Sequence, residues 1–419
     1  MLNRTLAPSF KPTQNISLPP IQSISGGGDR RIYSLANPNL EVFRLEIVFR
    51  AGSYFGEKFG LSFFASKLMP LGTVSKDAKQ IAESFERFGG FLEVTQNQER
   101  LVITLHGLTK FFDRYLEDLY AVIFEPIFLE SELEIQKTIA SQSYLVSMEK
   151  TAVEANKIFR EGLFGETHSF GKTLNPAEIE IISAADLRSF HKKFIADASY
   201  NIFLTGNVGA NEVDLLSRIF VSKVSHSPFL PILSPDIKTP FERIMDKKDS
   251  VQSSIRIGRR MFNRHHPDFF GFLVFNTIFG GYFGSRLMKN IREEKGLTYG
   301  ISSSMVPLAD EGYWSIGADV KKENVQLAIT EIRKEIGFLK ETPVTENELS
   351  LVKNYMKGSV LNSTNTVFDM MDKHKAIIHE NLPDNFYNSM LSKIDGVGVN
   401  EVQEMANKYM VDLSTVIVG

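Results

Sequence analysis

This chain repeats itself, and the repeat limits the folds open to it more than any other feature. In the first half Pro126 is followed by Glu132-Leu133, Lys137 and Leu145. In the second half Pro343 is followed by Glu348-Leu349, Lys353 and Leu361, with the same spacing from Glu-Leu to Lys to Leu. Other segments correspond in the same order. The alternating run Val42 to Phe49 and the helix from Gly60 match Val251 to Ile257 and a helix from Asp268, and Leu187 to Thr205 matches Val402 to Val418. Self-similarity on this scale marks a duplicated structural unit. Between the copies, Ser225 to Pro240 holds Pro228, Pro231, Pro235 and Pro240 without helical rhythm and reads as a linker. The length of 419 residues also exceeds what one hydrophobic core usually serves. The expected organisation is an extended arm over residues 1–30, a domain over 31–224, a linker over 225–245 and a second domain over 246–419.

Composition removes several function classes. With Lys+Arg 47 against Asp+Glu 50 the net charge is −3, which leaves no global electrostatic footprint for nucleic acid or an anionic membrane. There is no cysteine, so disulfides, thiolate nucleophiles and cysteine-based zinc sites are all excluded. Residues 1–20 are broken by Pro8, Pro12, Pro19 and Pro20 and form no signal peptide, and the apolar run Phe269 to Ile278 is too short to span a membrane. A cytoplasmic protein is expected. The Gly26-Gly27-Gly28 triplet reads as a flexible joint rather than a phosphate loop, because no strand precedes it and no helix follows.

Periodicity places a strand at Val42 to Phe49 and helices at Gly60 to Met69 and Asp77 to Phe88. It then predicts a hairpin of Phe91 to Thr95 with Leu101 to Leu105. Helices follow at Lys110 to Phe124, Glu130 to Glu149, Ala152 to Leu163 and Ala185 to Phe194, before a strand at Tyr200 to Thr205. Of the histidines, only His265-His266 with Asp268, and His374 with His379-Glu380, are clustered. Neither has ligand spacing with a third partner, so both read as packed or solvated.

Two segments resemble the pitrilysin/insulinase zinc peptidases. Ala51-Gly52-Ser53, then Gly60-Leu61-Ser62-Phe63-Phe64-Ala65-Ser66-Lys67-Leu68-Met69, then Gly72-Thr73 follow the frame of that family's metal helix. Its H-x-x-E-H element sets two histidines one turn apart to bind zinc, beside a glutamate that activates water. Here those positions are Phe63, Ser66 and Lys67. The family's third ligand, a glutamate on a later helix, falls near Ser143. A phenyl ring cannot ligate and an ammonium repels the metal, so no zinc is expected in this chain, and Leu61, Phe63, Phe64 and Leu68 read as a core face.

The second segment, Gly280-Gly281-Tyr282-Phe283-Gly284-Ser285-Arg286-Leu287 running on to Tyr299, resembles the family's second-domain signature. In that signature an Arg and a Tyr contact the substrate, and Arg292 and Tyr299 match their spacing. The resemblance implies an α+β fold of two similar domains, each a mixed β-sheet with helices mainly on one face, together half of a clam-shell. It further implies that the chain is a non-catalytic, substrate-binding subunit. Its partner would be an H-x-x-E-H homologue carrying the zinc in a heterodimer, or alternatively a second copy in a homodimer. The ligand would be an unfolded peptide.

Overall fold

The computed structural model describes residues 16–25, 31–220 and 239–419. The Gly26-Gly27-Gly28 joint and linker residues 225–238 lie outside the described residues.

The first half runs through β1 (Gln22–Ser25), β2 (Arg31–Ala36), β3 (Val42–Phe49), α1 (Leu61–Leu68), α2 (Ala78–Glu86), β4 (Phe91–Gln96) and β5 (Leu101–Leu108). It continues with α3 (Phe112–Phe124), α4 (Glu130–Met148), α5 (Thr151–Phe164), α6 (Pro176–Glu180), α7 (Ala184–His191), β6 (Tyr200–Gly206) and α8 (Ala210–Phe220). The second half holds β7 (Glu242–Met245), β8 (Gln252–Met261), α9 (Phe269–Asn276), β9 (Thr298–Pro307) and β10 (Gly312–Lys321). It ends with α10 (Val325–Glu341), α11 (Glu346–Asn362), α12 (Val367–His379), α13 (Phe386–Gly396), α14 (Val399–Tyr409) and β11 (Ser414–Val418).

The sheets show why the sequence repeats. One is six-stranded in the order β1-β2-β6-β3-β5-β4, the other five-stranded in the order β7-β11-β8-β10-β9. In each, a parallel pair (β2 with β6, β7 with β11) adjoins antiparallel neighbours. With β1 set aside, the two sheets have one topology. Strand β1 pairs antiparallel with β2, so the expected N-terminal arm contains a sheet strand, and β7 extends the second sheet from within the span expected as linker.

Alternation decides the faces. Phe43, Leu45 and Ile47 of β3 enter the first core with Phe64, Tyr115 and Leu187, while Ile255 and Ile257 of β8 enter the second with Phe272, Trp314 and Ile332. Each half's own helices cover that face, as the mixed-sheet expectation requires.

The opposite faces are covered by exchange. Helix α5 of the first half packs on β8 and β11, and α12 of the second half packs on β6 and β2. Ile158, Phe159 and Leu163 meet Val416 and Val418, and Met371 meets Tyr33, Leu35 and Phe203. Buried charge fixes both contacts. The Arg256 Nε donates to Asn156 Oδ1 at 2.6 Å, Lys375 Nζ reaches Glu46 at 2.6 Å, and Arg44 pairs with Asp372 at 2.7 Å. No helix among the described residues is long and apolar enough to cross a membrane.

Candidate functional site

Helix α1 follows a turn that demands glycine. Gly60 has φ +101°, and a Cβ there would stand 2.7 Å from Leu174 Cδ1. Leu61, Phe64 and Leu68 are buried at 4%, 0% and 1% exposure, each worth about 1.5–3 kcal/mol of transfer free energy. Phe63 departs from the expected core face. It is only half-buried, with Lys67 Nζ 5.9 Å from its ring centroid.

The hydroxyl at the position of the family's glutamate is already engaged. Ser66 Oγ donates to the Phe63 carbonyl at 2.7 Å, inside its own helix. Ser62 Oγ donates to the Ala51 carbonyl at 2.5 Å and ties the helix to the strand end. Helix α4 packs against α1, and Ser143 is exposed on it. A ring, a self-bonded hydroxyl, an ammonium and a second hydroxyl do not form a zinc ligand set. Among the described residues no group of three or more His, Asp or Glu could hold a metal ion.

Of the clustered histidines, His265 is exposed and the others are partly buried. His265 Nε2 lies 2.7 Å from the Glu380 carbonyl, His266 stacks on Phe262 at 4.1 Å, and His374 Nε2 lies 2.9 Å from the Pro19 carbonyl. His379 sits edge-on to Phe203 at 5.3 Å with no hydrogen-bond partner for its buried Nε2. Burial first, and then Arg100 and Lys375 nearby, push its pKa down to about 3.

The second half does bring its two named residues together. Arg292 lies in the π-helical segment Met288–Glu294, and Tyr299 stands at the head of β9, the edge strand of the second sheet. Between them Gly296 makes the turn at φ +62°. Both line an open cleft of about 650 Å³ with Gln252, Glu293, Lys321 and Asn324. Tyr299 is 93% exposed, so its phenol is free to meet a ligand.

The segment is braced from below. Arg286 makes a two-pronged ion pair with Glu348 of α11, both contacts at 2.8 Å, and that pairing raises its pKa. Asn290 Nδ2 donates to Glu335 of α10 at 2.8 Å. Phe283 of the glycine-rich run lies under Arg292, with the guanidinium carbon 4.6 Å from its ring centroid. The signal for it was its place within the glycine-rich run. Chemically, the cleft offers a guanidinium fork, a phenol and a flanking lysine to an acceptor-rich ligand.

Two family models match the chain, meeting near residue 180 inside the first half. Residues 31–177 match the family model described as Insulinase (Peptidase family M16), and residues 182–356 match that described as Peptidase M16 inactive domain. A Bacillus subtilis protein named uncharacterized zinc protease YmxG is 24% identical over 360 residues, 84% of this chain and 86% of its own length. A Helicobacter pylori protein named non-peptidase homolog YmxG is 24% identical over 390 residues, 90% of this chain and 88% of its own. The crystal structure of a peptidase M16 inactive domain from Pseudomonas fluorescens superposes with a TM-score of 0.85 at 23% identity. It covers 95% of this chain and 98% of that one.

Proposed function

The chain belongs to the insulinase (M16) peptidase family, and from that premise we propose that it is the zinc-less, substrate-holding partner in a two-chain peptidase acting on unfolded peptides. It is a non-catalytic member. The observation that carries the proposal is the contrast between its halves: α1 holds Phe63, Ser66 and Lys67 where a metal site would stand, while Arg292 and Tyr299 share an open cleft.

A guanidinium offers fixed donors to peptide carbonyls or a terminal carboxylate, and a phenol can donate to a carbonyl oxygen as negative charge develops on it. Those groups bind and orient, and the water-activating chemistry must come with the partner. The partner is an H-x-x-E-H homologue of similar size that brings its own zinc. The outer backbone of β4, paired on one side only with β5, gives an extended peptide a strand to join.

Reconstitution tests this. The purified chain is mixed with the H-x-x-E-H homologue encoded by the same genome, and cleavage of a fluorogenic peptide is followed with and without chelator. Chelator-sensitive cleavage that needs both chains supports the proposal. Cleavage by the homologue alone at the same rate refutes it, and leaves a peptide-binding or structural member, as a homodimer, in its place.

A further inference from the structure

We infer that Phe283 is a positioning residue that seats Arg292 for ligand capture, an inference that rests on the reading of Arg292 as a peptide-gripping group. Phe283 is 64% exposed. A large aromatic in that state gains little from burial, so its place needs another reason.

Its neighbours on both sides are anchored while it is turned outward. Tyr282 packs tilted against Tyr355 with ring centroids 4.8 Å apart, and Arg286 is locked to Glu348. A Cβ at Gly284 would lie 2.8 Å from the Tyr282 ring, so the tight turn that presents Phe283 depends on glycine there. The ring is thus presented outward, with the Arg292 guanidinium over it.

A guanidinium is planar and weakly hydrated, and it settles on the negative face of an aromatic ring. With one flat face taken by Phe283, the edge that carries the N–H groups remains open to the cleft that Tyr299 also lines. Ordering a long side chain before the ligand arrives removes part of the entropic cost of binding. A leucine of similar bulk would fill the space without supplying the ring face.

The test is binding of a fluorescein-labelled, unfolded β-casein fragment to the full chain, read by anisotropy, for the wild type, F283L, F283Y, R292A and the F283L/R292A double variant. Thermal melting runs alongside to confirm folding. R292A should weaken binding about ten-fold, as expected for charged hydrogen bonds. F283L should weaken it about three- to five-fold, F283Y should bind like the wild type, and F283L should add nothing once Arg292 is gone. Wild-type affinity in R292A would overturn the underlying reading of the cleft. A loss in R292A with none in F283L, or an equal F283L loss in both backgrounds, would overturn the seat while leaving that reading standing.

Discussion

Lowering the pH should loosen the contact between the two halves through one side chain, His379. Its ring is lodged between Phe203 and the charges of Arg100 and Lys375, with Glu380 and Glu99 near Arg100, and its pKa is pushed down to about 3. The ordinary value is about 6.5. Because the folded pKa is the lower one, the contribution to stability is complete above about pH 6.5. It is lost as the pH falls toward 3, where the unfolded chain takes up a proton that the folded chain refuses.

At pH 5 the unfolded imidazole is 1.5 units below its pKa and the folded one is still neutral, which at 1.36 kcal/mol per unit amounts to a loss of about 2 kcal/mol. His379→Phe keeps the ring against Phe203 and removes the titration. It also keeps the backbone carbonyl that accepts from Arg100 at 3.0 Å. The assay is urea denaturation at pH 7.5 and pH 5.0, followed by fluorescence of the single tryptophan, Trp314. The variant should lose about 2 kcal/mol less than the wild type between the two pH values. It should also be somewhat more stable at pH 7.5, since no ring nitrogen is left buried and unpaired. Equal losses in both proteins would refute the reasoning.

Three further outcomes are expected. The purified chain should carry no stoichiometric zinc by elemental analysis after dialysis, because Phe63, Ser66, Lys67 and Ser143 offer no ligand set, and one tightly held zinc per chain would contradict this. In the reconstituted pair, Tyr299→Phe should lower turnover about 10²- to 10³-fold with an unchanged melting temperature, while Arg292→Lys should fail to restore the KM lost in Arg292→Ala; wild-type steady-state kinetics in these variants would oppose it. Gly60→Ala should destabilise the first domain by more than 1 kcal/mol, since φ +101° and the Leu174 contact both oppose a side chain, and an unchanged denaturation midpoint would show that the turn relaxes.

The repeat and the periodicities made much of the element order readable, but they placed no strand at Arg31–Ala36 and no helix at Pro176–Glu180 or Ala210–Phe220. The predicted strand Val42 to Phe49 is β3, and the expected long helix from Glu130 ends within one residue of α4. The helix predicted over Ala185 to Phe194 starts one residue earlier, at Ala184, and passes into a π-helical turn at Lys192. What periodicity could not supply is the identity of the surface each apolar stripe meets. Helix α5 looks like any amphipathic helix of the first half, yet it covers the second sheet, and no local pattern distinguishes the two destinations. The same limit explains Phe63: spacing put it on the apolar face, while exposure depends on how far α4 and β4 reach along α1. Arg292 and Tyr299 were visible because they sit in a distinctive segment. The ring of Phe283 beside Arg292 was not, since a residue nine positions away in sequence becomes a neighbour only through the folding of the segment between them.

The exchange of α5 and α12 has a consequence for how the chain is made. As the ribosome delivers the protein from its N-terminus, the first sheet is complete once β6 has emerged, but the helix that covers its far face ends at His379. Tyr33, Leu35, Val48 and Phe203 remain uncovered until then. Helix α5 waits too, its apolar side covered only as β8 emerges and closed over once β11 follows. A nascent chain stalled at the interdomain boundary therefore displays two sticky surfaces that cannot satisfy one another, which makes it a natural client for chaperones. Once released, the halves clasp each other, and a protease that nicks the connecting segment would cut the chain without parting them.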